Sequence, residues 1–223
     1  MNGALIVLEG IEGAGKSTQV RRLVHRLEAA AIDCVAVREP GGTAAGDAIR
    51  HLLLDPASLL DARAEALLFM ASRAQLVADV IQPALQRGAI VVADRFFLST
   101  YAYQISGRGL PEDAVREANA LATGGLVPHL NLLLDLPADD GLARAAGRGA
   151  HDRIERASPD FHGRVREAFV SFADPVWQRA HPEAGPIVLI DGSGDESTVA
   201  SRVSAEVARR WPQTAPALAG SHS

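Results

Sequence analysis

Short apolar runs bounded by turn residues recur along the chain at 4–8, 34–37, 89–93, 130–134 and 187–190. Runs this dense in apolar residues read as strands buried on both faces. Longer stretches of helical periodicity separate them. The repeat is therefore β-α, which predicts an α/β fold with a parallel sheet covered by helices on both faces. No internal repeat or inter-domain linker interrupts the pattern, so residues 1–211 read as one domain. Residues 212–223 are small, polar or proline-containing and are expected to be disordered. The stretch Gly147-Arg148-Gly149-Ala150-His151-Asp152-Arg153 has two glycines and no apolar anchor. It reads as the centre of a mobile loop, a lid over 144–156.

One helical stretch, 62–85, carries an anomaly. Projected at about 100° per residue, Phe69, Val77, Val80, Ile81 and Ala84 share an apolar stripe with Arg73 in its midst. Ser72, Gln75, Asp79 and Gln82 fall on another side. An arginine in an apolar stripe must snorkel, find an ion partner or face a cleft. Phe69 lies one turn before it, so an aromatic face sits beside a guanidinium. That pair suits a flat heterocycle bearing an exocyclic oxygen; a core phenylalanine beside a salt-bridged arginine fits the helix equally well.

The first strand runs into Gly10-Ile11-Glu12-Gly13-Ala14-Gly15-Lys16-Ser17, with the spacing G-x-x-x-x-G-K-[ST] of a phosphate-binding P-loop. Thr18 follows, and Val20, Leu23, Val24 and Leu27 continue at helical spacing, so strand, loop and helix come in the order the motif requires. Glycines let successive N–H groups turn toward phosphate oxygens, and the positive end of the helix dipole adds to the anion site. Of 22 basic residues, 21 are arginines and Lys16 is the single lysine. A compact point charge fits beneath a phosphate chain where a planar fork does not.

Composition narrows the setting. The net charge of −5 disfavours a generic nucleic-acid or anionic-membrane surface, so any basic site must be local. Cys34, alone, cannot form an intrachain disulfide and is expected to pack in the core. The N-terminus has no basic region ahead of its apolar run, and no segment approaches the ~20 apolar residues of a membrane span. The expected location is the cytoplasm.

Open parallel sheets bind ligands at the carboxyl ends of their strands, so Glu9, Arg38, Glu39, Asp94 and Arg95 should converge beside the P-loop. Asp94, ending an apolar strand, is placed to hold Mg²⁺ together with Ser17. Ser99-Thr100-Tyr101-Ala102-Tyr103-Gln104 supplies groups able to bond a sugar or base. None of the seven histidines has a metal-ligand partner at helical spacing.

These segments together resemble the bacterial type of thymidylate kinase. The matching stretches are Glu9 to Thr18, Arg38-Glu39-Pro40-Gly41-Gly42-Thr43, Leu68 to Gln75, Asp94-Arg95-Phe96 with Ser99-Thr100, Ala102-Tyr103-Gln104 and Asp152-Arg153-Ile154-Glu155. They run in the expected order over about residues 3–208. The resemblance implies ATP-dependent phosphorylation of dTMP to dTDP for DNA precursor synthesis, a sheet ordered 2-3-1-4-5, Mg²⁺ and a homodimer packed through helices. It implies ATP binding by Gly10, Ile11, Glu12, Gly13, Ala14, Gly15, Lys16, Ser17 and Thr18. It implies substrate binding by Glu9, Arg38, Pro40, Arg50, Phe69, Arg73, Arg95, Ser99, Tyr103 and Gln104. Phe69 would stack on thymine, Arg73 would bond its carbonyl, Gln104 would border the base, and Tyr103 would crowd the 2′ position. Arg38 and Arg95 would hold the dTMP phosphate. Phe96 stands where the family commonly has tyrosine or histidine, so a polar role there is lost.

The acceptor, a phosphate monoester with a second pKa near ~6, is already largely an anionic nucleophile at neutral pH, so no general base is required. Catalysis should rest on position and charge, with Lys16, Asp94, Arg95 and Mg²⁺ around the transferred phosphoryl. Glu12 brings negative charge into the P-loop, so further positive charge must come from elsewhere. The lid arginines Arg153 and, as helper, Arg148 are the expected source. Two other readings compete. A kinase for UMP, CMP or dCMP would differ at the base pocket, and a guanidinium, which only donates, favours thymine or uracil over cytosine. A GTP-binding switch would need an Asn-Lys-x-Asp segment, which a chain with its one lysine in the P-loop cannot have.

Overall fold

The computed structural model describes residues 3–137, 141 and 152–218. The five apolar runs are strands β1 (Ala4–Glu9), β2 (Cys34–Arg38), β3 (Ile90–Asp94), β4 (Leu130–Asp135) and β5 (Ile187–Asp191). All pair in parallel in the order β2-β3-β1-β4-β5. β1 is buried at every position and β3 at all but Asp94. Central strands with helices above and below have no solvent face, hence the unbroken apolar runs in place of alternation.

Register sets up the site. Leu8 lies opposite Asp94, and Asp94 opposite Arg38, so β1, β3 and β2 finish level. Glu9, Arg95 and Glu39, one residue on, leave the sheet at one edge.

Helix α1 (Lys16–Ala29) starts at Gly15, whose φ of 92° is left-handed, and buries Val20, Leu23 and Leu27. Helix α2 (Ala44–Leu54) is capped by Thr43, whose hydroxyl accepts from the Gly46 N–H at 3.0 Å. Helix α3 (Ala62–Leu76), capped by Asp61, continues through a π-helical turn at Val77–Ile81 into Gln82–Gln86. The expected helix is therefore present, with Val77, Ile81 and Ala84 buried. Helix α4 (Phe97–Thr100) opens into a π-helical segment, Tyr101–Gly107, and α5 spans Glu112–Thr123. Helices α6 (Pro159–Phe172), α7 (Pro175–Ala180) and α8 (Glu196–Arg210) follow.

The C-terminal expectation needs correction. Pro212–Thr214 form a 3-10 turn and Ala215–Leu218 a short helix, α9. Thr214 is fully buried, and Leu218 joins the main core, with α9 against α1 and α8. Of the stretch 212–223, residues 219–223 lie outside the described residues. Cys34, on the edge strand, is a half-buried free thiol packed against the core.

Candidate active site

The P-loop closes over its own lysine. Lys16 Nζ donates to the carbonyls of Gly10 at 3.0 Å and Ile11 at 2.7 Å, which leaves one of three protons for a ligand. Burial, with Arg95 nearby, lowers its pKa to about 8 against the pull of Asp94, Glu12 and Glu9. Gly13 sits at φ 75°, and a Cβ there would overlap the Gly141 carbonyl, so glycine is required on both counts. Ser17 Oγ bonds the Asp94 carboxylate directly, bringing two oxygen donors together at the mouth of the loop.

Arg95 closes the second wall. It holds φ 72°, a left-handed backbone that aims its side chain back at the P-loop. Its Nη1 donates to Gly10 O and Ser99 Oγ, both at 3.0 Å, and its Nη2 to Glu12 at 3.1 Å and the Tyr103 hydroxyl at 3.2 Å. Tyr103 also donates to Glu12 at 2.6 Å. Burial by itself would raise the Glu12 carboxyl; Arg95, Lys16 and that hydroxyl outweigh it and hold the group below the ordinary carboxylate range. The negative charge in the P-loop is thus paired with Arg95.

Phe69, Arg73 and Gln104 line the same cleft, whose volume is about 240 Å³. Arg73, 1% exposed, donates from Nε and Nη2 to Glu39, at 2.8 and 2.5 Å for the closer oxygen, and from Nη1 to Thr100 at 2.9 Å and Asn119 at 2.5 Å. Five guanidinium protons less four bonded leaves one, on Nη2, for a ligand. Arg38 and Arg50 stand on the outer wall with Pro40, whose carbonyl accepts from Arg50 at 2.8 Å. Burial and the neighbouring Arg38 push the Arg50 guanidinium below its usual range, the mark of cations crowded where an anion would fit.

The chain matches the Thymidylate kinase family model over residues 8–181. It is 45% identical to the thymidylate kinase of Deinococcus radiodurans over 208 residues, covering 93% of this chain and 98% of that one. It is 49% identical to that of a Synechococcus strain over 209 residues, covering 93% and 95%. The crystal structure of thymidylate kinase from Ehrlichia chaffeensis superposes with a TM-score of 0.73 at 28% identity, over 93% of this chain and all of that one. The chain belongs to the thymidylate kinase family. Enzymes of this family transfer a phosphoryl group from ATP to dTMP, and the chain is a kinase of that kind.

Against the roles the family resemblance implied, most of the substrate residues meet in one cleft: Arg38, Pro40, Arg50, Phe69, Arg73, Arg95, Ser99, Tyr103 and Gln104, with Lys16, Ser17 and Asp94. Two residues stand elsewhere. Glu9 is fully buried and does not line the cleft. Its carboxylate accepts from the Phe96 N–H at 2.9 Å and the Ser99 hydroxyl at 2.6 Å, so it anchors the start of α4. Arg153 is engaged by residues outside the P-loop, donating to the Leu53 carbonyl at 2.8 Å and pairing with Glu65 at 2.6 Å. Asp152 and Ile154, on either side of it, line the cleft instead. Arg148 lies outside the described residues. Phe96, apolar where the family is often polar, is buried beneath Arg73, whose guanidinium carbon is 5.3 Å from the ring centroid.

Glu65 was missed. It stands one turn before Phe69 and two before Arg73, so the four-residue series that singled out those two, extended backward, reaches it. A glutamate in the first turn of a helix ordinarily complements the dipole, which hid it.

Proposed function

We propose that the chain phosphorylates dTMP by in-line transfer within this cleft. The ATP phosphates lie over Gly10–Thr18, the dTMP phosphate among Arg38, Arg50 and Arg95, and thymine against Phe69. The observation that carries the reading is that one cleft brings together the P-loop cation, the strand-end acid, a set of arginines, an aromatic ring and an amide. A second cavity, beyond Gly13 and Gly15 and bounded by Thr18 and the loop at Gly192–Glu196, suits the nucleoside of ATP. Lys16 meets the phosphates with its third proton. Every Nη proton of Arg95 already has a protein acceptor, so gripping phosphate means exchanging one of those bonds.

Ser17 Oγ and the Asp94 carboxylate fit Mg²⁺, which takes few protein oxygens and completes its shell with water and phosphate. Bound there, it would neutralise charge on the transferring phosphates. With Arg153 engaged by Glu65, we assign to Arg148 the further positive charge that the transferred phosphoryl requires. Exposed Leu67 on α3 and Leu121 on α5 support a homodimer packed through these helices. The setting that goes with this chemistry is the cytoplasm, and no helix among the described residues is long and apolar enough to cross a membrane.

Steady-state assays with Mg²⁺-ATP should give dTMP as the best acceptor, dUMP weaker and purine monophosphates negligible. Arg148→Ala should lower kcat by about 10²-fold with little change in the KM for dTMP, as for a contact made mainly in the transition state. Preference for AMP, GMP or CMP would overturn the substrate. A kcat within about threefold of wild type, under ~1 kcal/mol in the barrier, would remove Arg148 from the chemistry.

A further inference from the structure

Glu65 is 1% exposed at the start of α3 and gathers three side chains. Its Oε1 accepts from Gln104 Nε2 at 2.9 Å and Arg108 Nε at 3.1 Å. Its Oε2 accepts from Arg108 Nη2 at 3.0 Å and pairs with Arg153 at 2.6 Å. Burial alone would push this carboxyl up, but hydrogen bonds from Arg108, Gln104 and Arg153 hold it below the ordinary range. It is therefore ionised and can only accept.

A carboxamide can present either its oxygen or its NH₂ to a ligand, and the choice decides what it recognises. Gln104, also 1% exposed, lines the cleft and turns one N–H of its NH₂ to an acceptor that cannot donate back. No donor among the described residues bonds its Oε1. With its nitrogen held on the Glu65 side, Gln104 keeps its carbonyl oxygen open to a donor in the cleft that Arg73, with its spare Nη2 proton, also lines.

We infer that Glu65 is a positioning residue that fixes the Gln104 amide with its oxygen toward the base, so that the site selects pyrimidines carrying an N3–H. Thymine and uracil offer a donor at N3 and a carbonyl at C4, which match the Gln104 oxygen and the Arg73 proton. Cytosine offers a lone pair at N3 and an amino group at C4, which oppose both. The inference rests on the placement of thymine against Phe69 proposed above.

Glu65→Gln tests it, because a neutral amide can donate to Gln104 Oε1 and let Gln104 turn its NH₂ to the cleft. Measured as kcat/KM, the preference for dTMP over dCMP should fall about tenfold or more, one misaligned hydrogen bond at a base edge being worth that much. The preference for dTMP over dUMP should stay within about twofold, since both carry N3–H and are treated alike. A role confined to stability would move neither ratio. Arg108→Gln, which weakens the cluster but leaves the carboxylate, should likewise lower stability without changing the dTMP/dCMP ratio. Gln104→Ala separates the two levels. If it raises the KM for dTMP while Glu65→Gln leaves the dTMP/dCMP ratio intact, the base placement stands and the positioning role is wrong. If it leaves dTMP kinetics unchanged, the base does not lie at Gln104 and both fall. Should Glu65→Gln fail to fold, a crystal structure of the wild-type protein with dTMP decides. Gln104 bridging Glu65 and N3 supports the inference, and Gln104 turned away from Glu65 overturns it.

Discussion

Lys16 shows how a single residue can be both costly and required. Its ammonium is buried in a loop of carbonyls with a pKa of about 8, against 10.5 for a free lysine. Between those values the unfolded chain holds a proton that the folded protein has released, so unfolding takes up protons and this group's contribution to stability rises with pH across the window. Below about pH 8 the folded protein carries the buried charge at a cost. A phosphate chain on the third N–H would favour the charged form and raise the pKa. ATP binding near pH 8.5 should therefore take up protons, visible as a dependence of the calorimetric binding enthalpy on the ionisation enthalpy of the buffer. Lys16→Arg should abolish that uptake and cut turnover severely with the fold retained, because the fork does not fit where Nζ meets two carbonyls. Near-normal turnover in that variant would show the lone lysine to be incidental.

At the scale of elements, Arg73 is a junction. It carries α3 to the end of β2 through Glu39, to α4 through Thr100 and to α5 through Asn119. The sequence left open whether this arginine faced a ligand or an ion partner; the geometry supplies both, with four protons bonded within the protein and one over. Arg73→Ala should consequently strike twice. Leaving Glu39 buried and unpaired should cost about 3–5 kcal/mol in urea unfolding, and the KM for dTMP should rise. A variant with unchanged stability and altered KM alone would mean that the Glu39 contact contributes little. The π-helical segment Tyr101–Gly107 matters at the same scale, since it delivers the consecutive residues Tyr103 and Gln104 to one cleft, the first against Glu12 and Arg95 and the second against Glu65. Turns of this wider kind are rare and sit frequently at functional sites.

The whole molecule includes its C-terminus. Leu218 is buried in the main core and Thr214 has no exposed surface. Ending the chain after Trp211 should therefore destabilise it by about 1.5–3 kcal/mol, the worth of one buried leucine, with the midpoint of urea unfolding lowered and the steepness nearly unchanged. An unaltered midpoint would return these residues to the status of a loose tail.

Strand positions, the parallel sheet, the P-loop and the family were legible in the chain itself, because each is a local pattern: dense apolar runs, glycine spacing, a strand-end acid. The cleft's membership was legible for the same reason, since parallel strands of matched length must present Arg38, Asp94 and Arg95 at one edge. What only the tertiary structure decided were partnerships. Glu12 pairs with Arg95 and Tyr103, Glu9 serves the start of α4, Arg153 belongs to Glu65, and the tail is held by α1 and α8. Each joins residues far apart in sequence, and the charge or polarity of a side chain states that it needs a partner without saying which. A buried ion chooses by the geometry that packing allows, and no periodicity records that choice.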